Sequence, residues 1–510
     1  MASDPVVQPT NLKSLSNIHS TFTQRIDNLF NIANGDAGSI MERYNATTVA
    51  IQKLLEKAVS QRKTVRALGA NWSFTKVGYT NDWIISTGRL NMMKRMLKEE
   101  LLNSEGFESD RFLFAQCGCA IQELSKNLRT LGRALRTSGA SNGQTIVGAT
   151  STNTHGSAFN FGATQDFIVG IHIIAGPGKH IYLERESAPV VSEIFIQKIK
   201  AELVRSDELF NAALVSFGSF GFIHGMMVET ESLYLLNAYR FRIGFEQVKS
   251  LMETLNFAKT PFLPFPNERP YHFQVLVNPY DLDEGAYSTV MYKRPFRQDY
   301  PRIPTDFTKA GPGEDAPAFL GRLTKSIPVL TPQIVNLLIK KSYEPFRDRW
   351  GTLNEMFSNT DAQGKLLSAG IGISISDSTR VKDLLLELNK THGPFLGVFT
   401  FRFVKKTKAL LGFTKFDHTC VAEFDSVASP QTDSFYAAIW KALDNAGIEY
   451  TFHWGKINNL DKASIIKKYG NDAIRWMEAR NKILPKEMLP VFTNETLADL
   501  GLDRVFDGIA

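Results

Sequence analysis

Cysteine is scarce in this chain, with Cys117, Cys119 and Cys420 the only three among 510 residues. Three thiols cannot build a disulfide framework, and their number fits a reducing compartment. Cys117-Gly118-Cys119 has no second Cys/His pair nearby at zinc spacing, which argues against a metal site. Long apolar runs are missing too, since no stretch approaches about 18 uncharged apolar residues. The opening MASDPVVQPTNLK has an early acid and a proline but no apolar stretch of the kind a secretory leader needs. A cytoplasmic protein without a membrane span is expected. Nor does either sign of charge dominate: 58 basic and 52 acidic residues give a formal charge of +6 and form no Lys/Arg block. That balance lends no support to a nucleic-acid or membrane-surface role. Neither a G-x-G-x-x-G after a strand nor a G-x-x-x-x-G-K-[ST] occurs, which argues against Rossmann and P-loop phosphate sites.

What is present is an ordinary globular composition, 43% hydrophobic and 22% charged, in a chain long enough for two or three domain-sized units. Phenylalanine is abundant, at 36 residues, and many fall between Phe257 and Phe424. The first 35 residues read as polar and irregular apart from an amphipathic stretch at Ile26 to Ile32. Ile51, Leu54, Leu55, Ala58 and Val59 recur at helical spacing. Thr64 to Leu68, Trp83 to Ser86 and Phe112 to Gln116 read as strands, and Ile121, Leu124, Leu128, Leu131 and Leu135 as one helix face. Strand-like runs at Ile168 to Ala175 and His180 to Leu183 follow. A helix near Glu208 to Val215 then leads to Gly218-Ser-Phe-Gly221 and a strand through Val228. This α+β unit ends near residue 240.

A second α+β domain is expected over about 241–445. Tyr271, Phe273, Val275 and Val277 alternate with His272, Gln274, Leu276 and Asn278, as in a strand with two unlike faces. Pro301 to Pro317 reads as a loop or a lid. Ile371, Ile373 and Ile375 alternate again. Asp377-Ser378 offers an N-cap for a helix carrying Val381, Leu384, Leu385 and Leu388, with Gly393 beyond its end. Phe395 to Val404 is the next strand. There Phe399, Phe401 and Phe403 share one face, expected to pack on helices, while Thr400 and Arg402 share the other.

Two segments carry the chemistry. One is Arg66-Ala-Leu-Gly69-Ala70-Asn71-Trp72-Ser73, a strand running into a small-residue loop. The other runs from Gly143 through Gly148-Ala149-Thr150-Ser151-Thr152-Asn-Thr154-His155-Gly156-Ser157. Loops rich in glycine, hydroxyls and exposed amides can wrap a diphosphate. The same composition also suits a long surface turn.

In order and separation these segments resemble the PCMH-type FAD-binding domain of the vanillyl-alcohol oxidase superfamily, in its aldonolactone oxidase and alditol oxidase branch. Further matches follow in order: Asp166-Phe-Ile-Val-Gly170, Gly176-Pro-Gly178, Phe217-Gly218-Ser-Phe-Gly221-Phe-Ile223, His453-Trp-Gly455-Lys456, Tyr469-Gly470 and Val491-Phe-Thr-Asn494. The resemblance covers about 45–240 and 395–500. It implies a two-subdomain FAD-binding domain over 1–240, an α+β cap with an antiparallel sheet over 241–445, and a segment 446–510 returning to the FAD domain. It also implies that FAD is held by Gly69 to Ser73, by Gly148 to Thr152, by Thr154 to Ser157, and by Gly221 and Ile223.

Departures from the family pattern shape the expectation. Many relatives have G-x-G-H-S in the first loop, with the histidine joined to the flavin; here Trp72 stands at that position and Asn71 replaces the second glycine. An indole cannot form the bond, and Ser141-Asn142-Gly143 offers no thiol for the cysteine tether of berberine-bridge relatives. FAD is therefore expected to be non-covalent, with Trp72 either packing on the ring edge or filling the cavity. Relatives also carry a Glu-x-Arg pair that meets a hydroxylated substrate; here Arg402 remains but Thr400 stands for the glutamate. By the resemblance, Arg402, His453 and Lys456 are the catalytic candidates, with His453 as proton acceptor and the two cations near the reduced ring. Thr400 and His272 are candidate substrate contacts. The implied activity is oxidation of a CH–OH group of an alcohol, a sugar lactone or alditol, or a sterol-like molecule. Electrons would pass to oxygen or another acceptor. The Phe-rich cap and the missing glutamate lean toward a less polar substrate. The alternative is a catalytically altered flavin-binding protein.

Overall fold

The computed structural model describes residues 4–102, 109–301, 311–313, 320, 331–360 and 365–506. Near the N-terminus, four strands line up as Val6–Pro9, Asn28–Ala33, Trp83–Arg89 and Val65–Leu68. The first pair is antiparallel and the other two are parallel. The expected helical stripe lies on Ile40–Ser60, where Ser39 and Glu42 form a reciprocal capping box. Its Ile51, Leu54, Leu55 and Ala58 pack with Phe30, Trp83 and, from far along the chain, Leu484, Met488 and Phe492. The first 35 residues are thus less irregular than expected. Short strands there pair with one another or on a sheet edge, too brief to leave a periodic pattern.

A second sheet contains Ile168–Gly176, Phe222–Ser232, Phe112–Gln116, Lys179–Glu184, Glu202–Arg205 and Met93–Arg95. The helix expected to reach Leu135 stops at Thr130. Gly132, at φ +68°, turns the chain, and Leu135 continues in a strand paired to Thr230. Helices Asp207–Leu214 and Asn471–Ile483 share this core through Phe210, Leu214, Trp476 and Ile483.

The third sheet has eight strands, ordered Phe346–Gly351, Tyr234–Ile243, Ala286–Pro295, His272–Val277, Gly397–Lys405, His418–Val427, Leu366–Ser374 and Tyr450–Phe452. Every pairing in it is antiparallel. One face carries Phe273, Phe399, Phe401, Phe403 and Phe424 against helices Phe245–Thr254, Ser378–Thr391 and Pro430–Asn445. Burying a phenylalanine side chain contributes roughly 1.5–3 kcal/mol, so this layer accounts for much of the aromatic excess. The registers put Arg240, Thr289, Gln274, Arg402, Thr400 and Glu423 on the other face.

Boundary details depart from the sequence reading. The strand expected through Ile375 ends at Ser374, and a one-turn 3-10 segment, Ile375–Asp377, precedes the helix. Asp377 makes no capping bond there. Residue 240 lies inside the strand Tyr234–Ile243, and Tyr450–Phe452 gives the third sheet its edge. Pro301 to Pro317 lies mostly outside the described residues.

Candidate active site

The strand Val65–Leu68 delivers the chain into the first loop at the end of its sheet. Asn71 sits at φ +63°, a left-handed conformation normally taken by glycine. Its side chain offsets this by donating to Ser16 O at 2.8 Å and accepting from Tyr79. The amides of Ala70, Asn71, Trp72 and Ser73 have no acceptor among the described residues. Four successive unpartnered N–H groups form an anion-binding concavity.

The second loop meets the first directly. Thr145 caps the helix Ile146–Ser151, accepting from Gly148 N at 3.2 Å. A Cβ on Gly69 would stand 2.3 Å from Thr145 Oγ1, so only glycine allows this approach. The two loops wall a cavity whose empty volume, open mouth included, is about 1570 Å³.

Most of the expected cofactor residues line that cavity: Gly69, Ala70, Asn71, Trp72, Ser73, Gly148, Ala149, Ser151, Thr152, Thr154, His155, Gly221 and Ile223. Thr150, Gly156 and Ser157 do not. Thr150 is fully buried, and a Cβ on Gly156 would meet Ser138 O at 2.2 Å. Ser157 Oγ accepts from Phe403 N at 2.9 Å and donates to Phe273 O, clipping the second loop to two cap strands. The Trp72 indole lies in the wall beside Gly143, where a Cβ would approach its Cζ2 to 2.6 Å, and the hollow stays open. These features fit FAD: a first turn with unpartnered amides for its phosphates, a small-residue second loop packed against it, and space for its rings.

The opposite wall is charged. Phe74 N donates to Gly455 O at 2.8 Å and Thr75 Oγ1 to Trp454 O at 2.9 Å, which brings His453 and Lys456 beside the first loop. Across from them, Arg402 Nη1 pairs with Glu423 Oε2 at 2.8 Å, and Glu423 Oε1 pairs with Lys456 Nζ. Lys456 Nζ also lies 3.8 Å from Asp425 Oδ1, which accepts from Ser368 Oγ at 2.5 Å. His155 Nε2 is 3.7 Å from Glu423 Oε1. Burial alone would raise the Glu423 carboxyl, but Arg402, Lys456 and then His155 hold it well below the ordinary carboxylate range. Burial pulls the Lys456 ammonium down, and Glu423 and Asp425 outweigh it to leave the group above its ordinary value. Both partners are therefore ionised at neutral pH.

His453 is different. Burial, then His155 and Lys456, push its imidazole well below the ordinary range, so it is neutral. Its Nδ1 accepts from Gly455 N at 3.1 Å, which places the proton on Nε2.

The two expected substrate contacts lie off the cavity. Thr400 is fully buried beside Glu423, and His272 is buried with its ring 5.7 Å from Phe357. Burial, then Arg402, lowers the His272 imidazole to about 3. Glu423 was missed in the sequence. Its only signal is the alternation of Thr419, Val421, Glu423 and Asp425 with Cys420, Ala422 and Phe424, and an acid on an amphipathic strand reads first as a solvated position.

Among the described residues, no cluster of three metal-ligating side chains occurs and no helix is long and apolar enough to cross a membrane.

Comparison with known proteins agrees with this geometry. Residues 44–184 match the FAD binding domain family. D-arabinono-1,4-lactone oxidase of Debaryomyces hansenii is 27% identical over 41% of this chain and 35% of its own length. The Kluyveromyces lactis enzyme of the same name is 25% identical over 40% of this chain and 34% of its own. The chain thus matches about a third of the length of these relatives. Cholesterol oxidase from B. sterolicum has the same fold, with a TM-score of 0.69, 12% identity and 97% of each chain covered. A solvent-stable cholesterol oxidase superposes with a TM-score of 0.64 at 13% identity, covering 97% of this chain and all of the other. The matched domain, the relatives and the shared fold fit the vanillyl-alcohol oxidase superfamily.

Proposed function

We propose that this chain is an FAD-dependent oxidoreductase acting on a CH–OH group, with the cofactor held non-covalently. One observation carries the reading: two touching small-residue loops, the first with a run of unpartnered amides, share one cavity with a buried Arg402–Glu423–Lys456 cluster. When bound, FAD accepts the two electrons taken from the hydroxyl-bearing carbon.

The chain's own residues do the positioning. Glu423 fixes the two cations, which present N–H donors at the cavity wall. His453 offers Nε2–H to a substrate hydroxyl; serving as proton acceptor requires the other tautomer and loss of the Gly455 bond.

Two arguments for a less polar substrate weaken. The cap phenylalanines face helices rather than the cavity, and Glu423 supplies a carboxylate where Thr400 does not. A polar hydroxylated substrate such as a sugar lactone suits this end better, in line with the likeness to the D-arabinono-1,4-lactone oxidase of D. hansenii.

A second reading, a flavin-binding protein without turnover, is favoured by the prior pairing of both cations with acids. The test starts from purified protein. Flavin absorbance should be present, and acid precipitation should release FAD into the supernatant. Anaerobic mixing with sugar lactones, alditols and sterols should bleach the flavin with at least one polar donor, and air should then separate oxidase from dehydrogenase. A colourless protein defeats both readings, and a yellow one that no donor bleaches selects the second.

A further inference from the structure

The charged residues that line the cavity are Arg402, Glu423 and Lys456, and these three, Lys456 beside the first loop included, are already held in ion pairs with one another. Behind the turn Phe217-Gly218-Ser219, two guanidiniums are buried without a carboxylate in ion-pair range among the described residues. Arg66 lies in the strand that leads into the first loop and is fully buried. Its Nη1 donates to Phe217 O at 3.0 Å, while Nε and Nη2 have no partner among the described residues. Arg480, also fully buried, donates to Ser219 O at 3.0 Å and Leu489 O at 2.7 Å and leaves Nη1 unpartnered. Neither is within ion-pair distance of an acid among the described residues; Asp503 acts on Arg480 only from farther off. Burial, then the Arg480 charge, lowers the Arg66 guanidinium to about 9, which leaves it protonated at neutral pH.

Between Arg66 and the cavity stands the turn Phe217-Gly218, which lines the cavity. Gly218 lies at φ +70°, and a Cβ there would be 3.7 Å from Arg66 Nη1, so the barrier is backbone alone. A buried cation without a counter-ion is costly in the empty protein, and an anion across a thin wall relieves that cost.

We propose that Arg66, with Arg480 behind it, is the fixed positive charge that recognises the pyrophosphate of the bound dinucleotide. The amides supply hydrogen bonds and these guanidiniums supply the field. This rests on the FAD reading above.

The experiment measures binding of FAD and of riboflavin, which has no phosphate, to flavin-stripped wild-type, Arg66→Gln and Arg66→Lys proteins, with the melting temperature of each apoprotein. Arg66→Gln should weaken FAD by about tenfold or more and leave riboflavin unchanged. Its apoprotein should melt no lower than wild type, because an uncompensated charge has been removed. Arg66→Lys should keep the preference for FAD. Equal losses for both ligands, or no loss for either, would overturn the proposal. Should Arg66→Gln fail to fold, Arg480→Gln is expected to lower the FAD-to-riboflavin preference in the same direction, and an unchanged preference there overturns it equally. A wild-type protein that takes up neither ligand defeats the FAD reading itself, whereas uptake of FAD with an unaltered preference in the variants defeats only this inference.

Discussion

Glu423 is the residue on which the charged wall turns. It holds Arg402 on one oxygen and Lys456 on the other, inside a sheet face where an unmatched ion is expensive. Because its carboxyl is depressed in the folded protein, the stability it contributes is complete above its ordinary value of 4.5 and is lost as pH falls through the lower folded value. Replacing it by Gln keeps the shape and removes the carboxylate that pairs both cations. Glu423→Gln should cost about 3 kcal/mol at neutral pH, and the difference should shrink as pH falls from 4.5, where the unfolded chain's carboxyl takes up its proton, toward the lower value at which the folded one does. Urea unfolding of both proteins across that range checks this, and a difference that ignores pH would refute the assignment.

Among the elements, Ser157 illustrates how the loops are tied to the cap. Its hydroxyl serves Phe403 N and Phe273 O at once, on neighbouring buried strands. Ser157→Ala strands both groups and should cost about 1–3 kcal/mol, seen as a lower melting temperature with the sheet's circular dichroism intact. What could be read from the sequence follows from periodicity. The Ile51 to Ala58 stripe and the Phe399 to Phe403 alternation are long enough to show, and both are where they were expected. The small-residue loops were readable because their chemistry is local to each segment. Leu131 and Leu135 misled because Gly132 ends the helix while the apolar spacing continues into a strand. Glu423 was unreadable because its role depends on which strand lies beside Gly397–Lys405, and register is a tertiary fact. Thr400 failed for the same reason: it shares Arg402's sheet face but sits away from the cavity.

At the scale of the whole molecule, the chain is stitched together by its last sixty-odd residues. Tyr450–Phe452 completes the third sheet, His453 to Lys456 reach the first loop, and Asn471–Ile483 buries Trp476 and Ile483 in the second core. Val65 N then donates to Val491 O at 2.7 Å, and Leu484, Met488 and Phe492 fill the first core. Removing a single large apolar side chain from a core costs about 2–5 kcal/mol, against a total domain stability of about 5–15 kcal/mol. Losing at least five such side chains across two cores, about 10–25 kcal/mol, is enough to consume that margin. A chain ended after Asn445 should therefore show no cooperative melt and no flavin uptake, although every loop residue from Gly69 to Ser157 is still present. Differential scanning calorimetry and flavin titration of the truncated protein test this; a sharp transition near that of the full chain would mean that the N-terminal cores close without their C-terminal half.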